Sequence, residues 1–418
     1  MMKTKNALKT VIAAGILLAA ITGCAEKGTI SKSNNPGWES SADDFGTSRD
    51  TETSKGSSPE TTDRLEEKFV VKYDEKTIES EGKVVNNTKQ LNNLYLRAMD
   101  NDYAYLSPPG TAVLSLDRSD YSSLEELLSY KTDLEWGGNN NKKTYCGCFF
   151  SFPCYFIYGE EGLTMRVYVG KTGDRMKCIC EKPSNYATAC AAELNDTQMV
   201  FLCWGEGENA NVAEIYKYKV GEEQAQVIYT ESLSEYSGNS NPLIACYNQE
   251  IYLIYSINSS QMVIKTLNPD GKEIKSETVE LSNNYAAMRI NELTVTKNNY
   301  IIRFEPRGNS RSSYVPVMID RNSKMCYSGF SGGLGARYND SIIDGRYIIF
   351  CKTYDDPCPQ LYVFDDETSE FHLLEFAALG ESEIITAAAD YKGDIMFQIR
   401  DENGDSSLVL YENVTSLI

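Results

Sequence analysis

Residues 244–271 read IACYNQEIYLIYSINSSQMVIKTLNPDG, and this stretch decides the fold. It contains a run of small and apolar residues at 244–246, an aromatic and aliphatic run at 251–254, and an alternating run at 262–265. Turn-forming residues separate the runs, and 268–271 ends the third with a glycine that can adopt a positive φ. Short apolar runs between such turns predict antiparallel β-strands rather than helices.

The aromatic run recurs along the whole chain. Its copies begin at Tyr103, Tyr155, Met199, Ile251, Tyr300, Tyr347 and Ile395. The mean spacing is about 49 residues, and a fixed period of about 40–50 residues with four strands each is typical of a β-propeller. Strands rich in small residues, as at 187–192 and 385–390, precede some copies. We expect them to be innermost, because small side chains fit where blades converge.

The order of a small inner strand, an aromatic second strand, an alternating third strand and an outer strand resembles the YWTD-type and TolB-like propellers. The repeats predict an all-β, seven-bladed propeller of four-stranded blades over 66–418. The last repeat lacks an outer strand, and 68–73 precedes the first inner strand without a blade of its own. We therefore expect 68–73 to complete the last blade and close the ring, which removes an exposed edge. A pair of β-sandwiches and an eight-bladed ring are the alternatives.

Charge excludes some classes of protein. The chain has 40 Lys and Arg against 60 Asp and Glu, a net charge of −20. A nucleic-acid-binding protein needs a basic surface, so we expect no nucleic-acid partner. With 41% hydrophobic residues, most of the chain can bury a core. One histidine in 418 residues argues against histidine-based metal sites and general bases.

The first 23 residues predict a bacterial lipoprotein signal peptide. Lysines at 3, 5 and 9 precede the apolar run 11–21, which is too short to span a bilayer. The run ends in Ile21-Thr22-Gly23-Cys24, which resembles the lipobox of bacterial lipoproteins. That resemblance implies cleavage before Cys24 and fatty acylation of its thiol. An ordinary secretory signal followed by a chance cysteine is the alternative.

A polar tether follows, so that 24–65 forms the lipidated cysteine and a disordered linker. Residues 26–64 contain almost no apolar side chains and cannot offset the entropy of ordering. Long polar tethers of this kind resemble those of lipoproteins from Gram-positive bacteria. We therefore expect the propeller to be displayed on the outer surface of the cell membrane, held there by its lipid anchor.

Eleven cysteines remain after Cys24, and most lie within predicted strands. Cysteine in a strand is usually a small buried hydrophobic residue, and no second pair or histidine completes a tetrahedral metal set. Cys351 and Cys358 flank one loop, and the sequence leaves open whether they form a disulfide. So many thiols outside the cytoplasm suggest a reducing habitat.

The sequence contains no convincing catalytic motif. Residues 329–333 match the Gly-x-Ser-x-Gly pattern, but no helix-forming segment follows, as that nucleophile turn requires. We expect no cofactor and no metal. Carboxylates near the central channel, such as Glu193, Glu292 and Asp390, are the candidates if the protein is instead a carboxylate-dependent glycan hydrolase or lyase.

Long, varied loops between second and third strands mark the expected binding face. Trp204, Arg307, Arg311 and Tyr354 lie in or beside these loops, where aromatic platforms and directional hydrogen bonds suit a sugar ring or a peptide. We therefore expect a binding module for a glycan or a protein rather than an enzyme. The alternatives are the carboxylate-dependent enzyme and a ligand-free assembly scaffold.

Overall fold

A computed structural model describes most of the predicted repeat region. The described residues are 63–64, 66–69, 74–107, 112–129, 144–149, 152–157, 164–169, 177–183, 186–187, 190–205, 212–233, 242–258, 260–281, 289–305, 315–328, 341–343, 346–351, 360–380, 382–390 and 392–418. All of them belong to one compact unit, Pro59–Ile418. Within these residues, no helix is long and apolar enough to cross a membrane. Cys24 and the predicted tether up to residue 62 lie outside the described residues, whereas the last part of the predicted tether, 63–64, forms a strand.

The described chain is built from short strands. The N-terminal segment contains β1 Asp63–Arg64, β2 Glu66–Phe69, β3 Asp74–Ile78 and β4 Lys83–Asn86. The first sheet contains β5 Tyr95–Met99, β6 Tyr103–Ser107, β7 Ala112–Asp117 and β8 Leu124–Ser129. The second contains β9 Thr144–Phe149, β10 Phe152–Ile157, β11 Thr164–Val169 and β12 Lys177–Pro183. The third contains β13 Tyr186–Ala187, β14 Ala191–Asn195, β15 Gln198–Gly205, β16 Val212–Lys219 and β17 Gln226–Ser232.

The remaining strands continue the pattern. The fourth sheet contains β18 Leu243–Tyr247, β19 Glu250–Ser256, β20 Gln261–Leu267 and β21 Glu273–Glu280. The fifth contains β22 Arg289–Val295, β23 Asn299–Glu305, β24 Val315–Asp320 and β25 Met325–Ser328. The sixth contains β26 Ser341–Ile343, β27 Tyr347–Cys351, β28 Gln360–Asp365 and β29 Glu370–Phe376. The seventh contains β30 Glu383–Ala389, β31 Ile395–Arg400 and β32 Ser406–Tyr411, and short 3₁₀ turns span Lys89–Asn93, Ala377–Leu379 and Val414–Leu417.

These strands form seven sheets, each a run of sequential antiparallel hairpins, so the predicted β-propeller fold is confirmed. In each sheet the strands are called first to fourth in chain order, and β13 and β14 together form the first strand of the third sheet. First strands of neighbouring sheets pack against each other, as β30 does against β5 and β14 against β18. The strands predicted to be innermost therefore line the centre of the ring.

Apolar side chains fill the spaces between neighbouring sheets. Between the sixth and seventh sheets, the ring of Phe376 lies edge-on to Phe397 at 4.9 Å and to Tyr411 at 4.7 Å. The same cluster includes Ile395 and Val409, both essentially buried. Because each cluster joins two or three sheets, the ring is stabilised as a unit.

The N-terminal segment runs along the outer edges of successive sheets. Strands β1, β2 and β3 add in parallel to β21, β25 and β29, the fourth strands of the fourth, fifth and sixth sheets. Strand β4 then pairs antiparallel with β32 and becomes the fourth strand of the seventh sheet. An N-terminal strand therefore completes the last sheet, but the expectation that it is 68–73 is wrong. That stretch overlaps β2 on the fifth sheet, and the completing strand is Lys83–Asn86.

Three turns between third and fourth strands share one geometry. They begin at Asp117, Asp320 and Asp365, whose carboxylates accept a hydrogen bond from the backbone N–H two residues later. The residue four positions on has a positive φ in every case: Tyr121 at 53°, Lys324 at 59° and Ser369 at 58°. The residue directly after the aspartate, which is Arg118, Arg321 or Asp366, therefore lies at the boundary with the neighbouring sheet of the ring.

Candidate functional site

Arg118 occupies this position in the first sheet and reaches into the seventh. Its guanidinium donates to the Asp390 carboxylate at 2.6 Å and to the Asp394 carboxylate at 2.7 Å. It also donates to the Asp100 carbonyl of its own sheet. Burial opposes the charge, but the hydrogen bond to Asp390 raises the pKa of Arg118 above its ordinary value. The ion pair therefore joins the first sheet of the propeller to the last.

Equivalent side chains join other neighbouring sheets. Arg321, in the fifth sheet, donates to the Tyr252 hydroxyl of the fourth, and its guanidinium lies 5.0 Å from the centre of that ring. Asp366, in the sixth sheet and 1% exposed, accepts hydrogen bonds from the Asn298 N–H at 3.1 Å and the Asn299 amide at 2.9 Å. Polar contacts therefore join neighbouring sheets at this end of the propeller.

An open polar cavity lies beside the Arg118 contact, between the first and seventh sheets. Its volume is about 700 Å³. Its lining side chains are mostly charged, amide, hydroxyl or phenol groups: Lys83, Asn101, Asp102, Tyr103, Asp117, Arg118, Ser119, Tyr121, Leu410 and Glu412. The turn between β5 and β6, the turn between β7 and β8, and the strand pair β4–β32 supply these residues. The packing of the first sheet against the seventh, which closes the ring, thus also forms a concave surface.

The cavity wall carries both acidic and basic side chains. Burial, followed by the charges of Asp117 and Asp102, raises the pKa of the Tyr103 phenol, which therefore stays neutral. The Lys83 ammonium lies 5.8 Å from the centre of the Tyr121 ring. Carboxylates, an ammonium and phenol groups offer both donors and acceptors to a polar ligand. Within the described residues, no group of three or more His, Cys, Asp or Glu side chains is placed to hold a metal ion.

Of the four residues expected to bind ligand, only Trp204 is described. It lies near the end of β15 opposite Ala187 and Ala213, and it is 8% exposed rather than a free platform. Its indole N–H has no hydrogen-bond partner among the described groups. Arg307, Arg311 and Tyr354 lie outside the described residues. The cavity is at the opposite end of the strands, at the turns between first and second and between third and fourth strands.

The three candidate acids differ in their surroundings. Asp390 is 3% exposed, and its carboxylate is held by Arg118 in a turn rather than at the channel. Glu292, on the first strand β22, forms an ion pair with the buried Arg303. Glu193 lies half-buried on β14, the first strand of the third sheet. Asp390 is thus engaged in holding two sheets together.

The cavity residues carried a weak signal in the sequence. Asp100 shapes the turn between β5 and β6, because its carboxylate accepts the N–H groups of Asp102 and Tyr103. The repeated Asp-Arg pairs at 117–118 and 320–321 were visible in the sequence, but the partners of Arg118 lie in the last repeat. Only the closed ring brings Lys83 and Glu412 to the same place.

The described cysteines lie within or beside strands. Cys178, Cys180, Cys190, Cys203, Cys246 and Cys326 are thiols, and Cys180, Cys190, Cys203 and Cys326 are buried. Burial raises the pKa of the Cys190 thiol to about 12, so this thiol is protonated at neutral pH. Cys351 ends β27, and Cys358 lies outside the described residues, so the pairing left open by the sequence stays open.

Comparisons with known proteins give similarity of fold alone. No protein-family model and no curated protein matches the chain. The apo prolyl oligopeptidase B from Galerina marginata is 11% identical at a TM-score of 0.49, covering 80% of this chain and 49% of that one. The β-propeller domain of the Trilobed protease from Pyrococcus furiosus is 9% identical at a TM-score of 0.42, covering 64% and 83%.

TolB from Acinetobacter baumannii is 12% identical at a TM-score of 0.38, covering 68% of this chain and 65% of that one. This chain spans about half the length of the prolyl oligopeptidase to which it is similar. The assignment of the fold rests on the strand pairing described above.

Proposed function

We propose that this protein is a lipid-anchored extracytoplasmic lipoprotein whose propeller binds a glycan through the cavity between its first and seventh sheets. The open, polar cavity of about 700 Å³ is the observation that carries the proposal. Ligand sites are usually concave and combine aromatic surface with a few placed polar groups. A binding module also fits a chain in which the sequence contains no convincing catalytic motif.

The lining chemistry favours a carbohydrate. Asp102, Asp117 and Glu412 supply carboxylates that accept hydrogen bonds from sugar hydroxyls, and Asn101 supplies both a donor and an acceptor. Tyr103 adds a neutral phenol on the cavity wall. A protein segment is the second candidate partner, because the same groups also bind peptide backbone. A ligand-free scaffold remains the third.

The test is a thermal-shift screen of the purified protein against cell-wall fragments and common polysaccharides. A ligand at 100 times its dissociation constant stabilises by about 2.7 kcal/mol. For a domain of this size, that corresponds to a rise of about 4 °C in the melting temperature. We expect a shift with at least one glycan, and we expect Asn101→Ala or Lys83→Ala to abolish it.

The matched control is Lys272→Ala, an exposed lysine on the fourth sheet, far along the ring from the cavity. A shift that survives both cavity variants contradicts the assignment of the site. If no glycan raises the melting temperature, a protein partner becomes the favoured ligand. A pull-down from the cell surface would then be used to find it. Release of shortened or unsaturated sugars, abolished by Glu193→Gln or Glu292→Gln, would establish a hydrolase or lyase instead.

The anchoring half of the proposal rests on the lipobox-like sequence ending at Cys24. Cys24→Ser should move the protein from the membrane fraction to the soluble fraction, because a serine cannot carry the thioether-linked lipid. Mass spectrometry of the mature N-terminus provides the direct check. Membrane retention of the Cys24→Ser variant would contradict lipid anchoring.

A further inference from the structure

The cavity between the first and seventh sheets has an unbalanced charge. Its charged lining residues are three acids and two bases: Asp102, Asp117, Glu412, Lys83 and Arg118. The Arg118 guanidinium is already engaged by carboxylates, with Asp390 at 2.6 Å and Asp394 at 2.7 Å. Since these ion pairs neutralise Arg118, Lys83 supplies the remaining positive charge. A ligand that enters the cavity therefore meets more negative than positive charge.

The three lining carboxylates can accept further hydrogen bonds. Asp102 and Glu412 are exposed, and no group among the described residues donates to their carboxylates. One oxygen of Asp117 accepts the Ser119 N–H at 2.7 Å, and the other has no donor within the described part of the chain. The strongest partner for such an oxygen is a positively charged donor, because charge-assisted hydrogen bonds are about twice as strong as neutral ones.

Two of these carboxylates lie together on the first-sheet side of the cavity. Asp117 is the direct cross-strand partner of Tyr103, and Asp102 directly precedes Tyr103 in the chain. The Arg118 N–H donates to the Asp102 carbonyl at 2.8 Å, which holds the two turns side by side. Burial, followed by the charges of Asp117 and Asp102, raises the pKa of the Tyr103 phenol. The negative potential of this wall therefore reaches the Tyr103 side chain.

The seventh-sheet side of the cavity adds a positively charged donor. Lys83 on β4 lies opposite Leu410 on β32, and Glu412 follows two residues later. The Lys83 ammonium lies 5.8 Å from the centre of the Tyr121 ring, and it forms no ion pair with a described carboxylate. An ammonium group donates hydrogen bonds and accepts none, so Lys83 needs an oxygen acceptor on the ligand. The matching ligand therefore carries both positive groups and neutral oxygen atoms.

We infer that the glycan bound in this cavity is an amino sugar with protonated amino groups. Its ammonium groups donate to Asp102, Asp117 and Glu412, and its hydroxyl oxygens accept from Lys83. The inference rests on the proposed function, because it names the chemical class of the ligand of the same cavity. A glycan rich in uronic acids would place like charges together, and a neutral glycan would offer the carboxylates only neutral donors.

The test compares two tetrasaccharides with the same backbone, a glucosamine tetramer with unmodified amino groups and its fully N-acetylated counterpart. Each is titrated by calorimetry into the purified full chain, in low-salt buffer at mildly acidic pH, where the amino groups are protonated. We expect the glucosamine tetramer to bind about tenfold more tightly. Added salt should reduce this difference, because it screens the charges of exposed carboxylates.

Two variants remove charge from the cavity with little change in side-chain shape, Asp102→Asn and Glu412→Gln. Each should weaken binding of the glucosamine tetramer several-fold, and the double variant should remove its preference over the N-acetylated tetramer. The matched control is Glu402→Gln, at an exposed glutamate in the turn between β31 and β32, at the opposite end of the same sheet. It should leave both affinities unchanged. An equal loss in Glu402→Gln would overturn the inference, because it would show attraction to the acidic surface as a whole.

A second control, trilysine amide, carries as many positive charges as the glucosamine tetramer but has no sugar ring. Equally tight binding of this peptide would overturn the inference in favour of a basic peptide. Equal or tighter binding of the N-acetylated tetramer, lost in Asn101→Ala, would overturn the amino-sugar class and leave glycan binding by the cavity in place. Binding of neither tetramer would also overturn it, and the wider glycan screen would then decide the proposed function separately.

Discussion

The guanidinium of Arg118 lies 2.6 Å from the carboxylate of Asp390, although 272 positions separate the two residues in the sequence. Their side chains are only 9% and 1% exposed. One comes from the first sheet and the other from the seventh, so the pair forms only when the ring is closed. Its loss should therefore affect the stability of the whole propeller.

Arg118→Met should lower the free energy of unfolding by about 3 kcal/mol, because it leaves the buried Asp390 carboxylate without its partner. Urea denaturation followed by tryptophan fluorescence measures this change. The matched control is Arg400→Met, whose 3.3 Å ion pair with Glu383 joins side chains that are 35% and 61% exposed. We expect a loss of at most about 1 kcal/mol there, and equal losses for both variants would contradict a special role for Arg118.

Gly271→Ala should destabilise the boundary between the third and fourth sheets. Gly271 has a φ of 84°, and an added Cβ would lie 2.0 Å from the Ile228 carbonyl oxygen of β17. Gly404 has the same φ with open space around it, so Gly404→Ala isolates the backbone strain. We expect about 1 kcal/mol for Gly404→Ala and about 3 kcal/mol for Gly271→Ala in urea denaturation. Similar losses of unfolding free energy for the two variants would show that the structure relieves the contact with Ile228 without losing stability.

Glu277 makes the stability of the protein depend on pH in the acidic range. Burial raises the pKa of its carboxylate, but hydrogen bonds from Lys275 at 2.7 Å and Lys324 at 2.9 Å outweigh burial and lower it. A depressed pKa stabilises the folded state above the unfolded value of 4.5, and this contribution is lost as the pH falls through the folded pKa.

Glu277→Gln should therefore cost about 1 kcal/mol at pH 7, and the difference from the unaltered protein should shrink below about pH 4. Urea denaturation at several pH values measures this convergence. Glu280→Gln, on the same strand, is the control for the effect of replacing a glutamate by glutamine. A constant difference between Glu277→Gln and the unaltered protein at every pH would refute the linkage.

Two truncations separate the roles of the N-terminal strands. A chain beginning at residue 80 lacks β1, β2 and β3 and should still unfold in one transition, at a lower urea midpoint. A chain beginning at residue 88 also lacks β4, which leaves β32 unpaired on one edge and uncovers the seventh sheet. We expect that chain to lose cooperative unfolding. If both chains unfold alike, β4 does not complete the ring.

Local patterns predicted the strands, because each second strand is apolar enough to be recognised by itself. Ile251 and Ile395, which mark two of the copies, are fully buried as expected. The completing strand was missed because β4 is mostly exposed, with Val84 57% exposed, and carries little hydrophobic signal. The 68–73 stretch is more apolar, but the parallel addition of β2, which contains 68–69, to an outer edge leaves no pattern of its own.

The cavity was not predictable from the sequence for a different reason. Its residues come from β4, from two turns of the first sheet and from the end of the seventh, so they have no common spacing. Trp204 was expected to lie in or beside a long loop on the binding face, where its ring could form an aromatic platform. Strand β15 instead extends through Gly205, and the indole packs in the core cluster of the third to fifth sheets.

The path of β1, β2 and β3 has a mechanical consequence. Tension applied to the N-terminal end of the described chain is transmitted first to the two-residue pairing of β1 with β21, then to β2 on β25, and then to β3 on β29. Each pairing can give way in turn and lengthen the chain before force reaches β4 and the ring. In a chain held at its N-terminus, the edge strands would therefore form a series of releasable extensions between that point and the propeller.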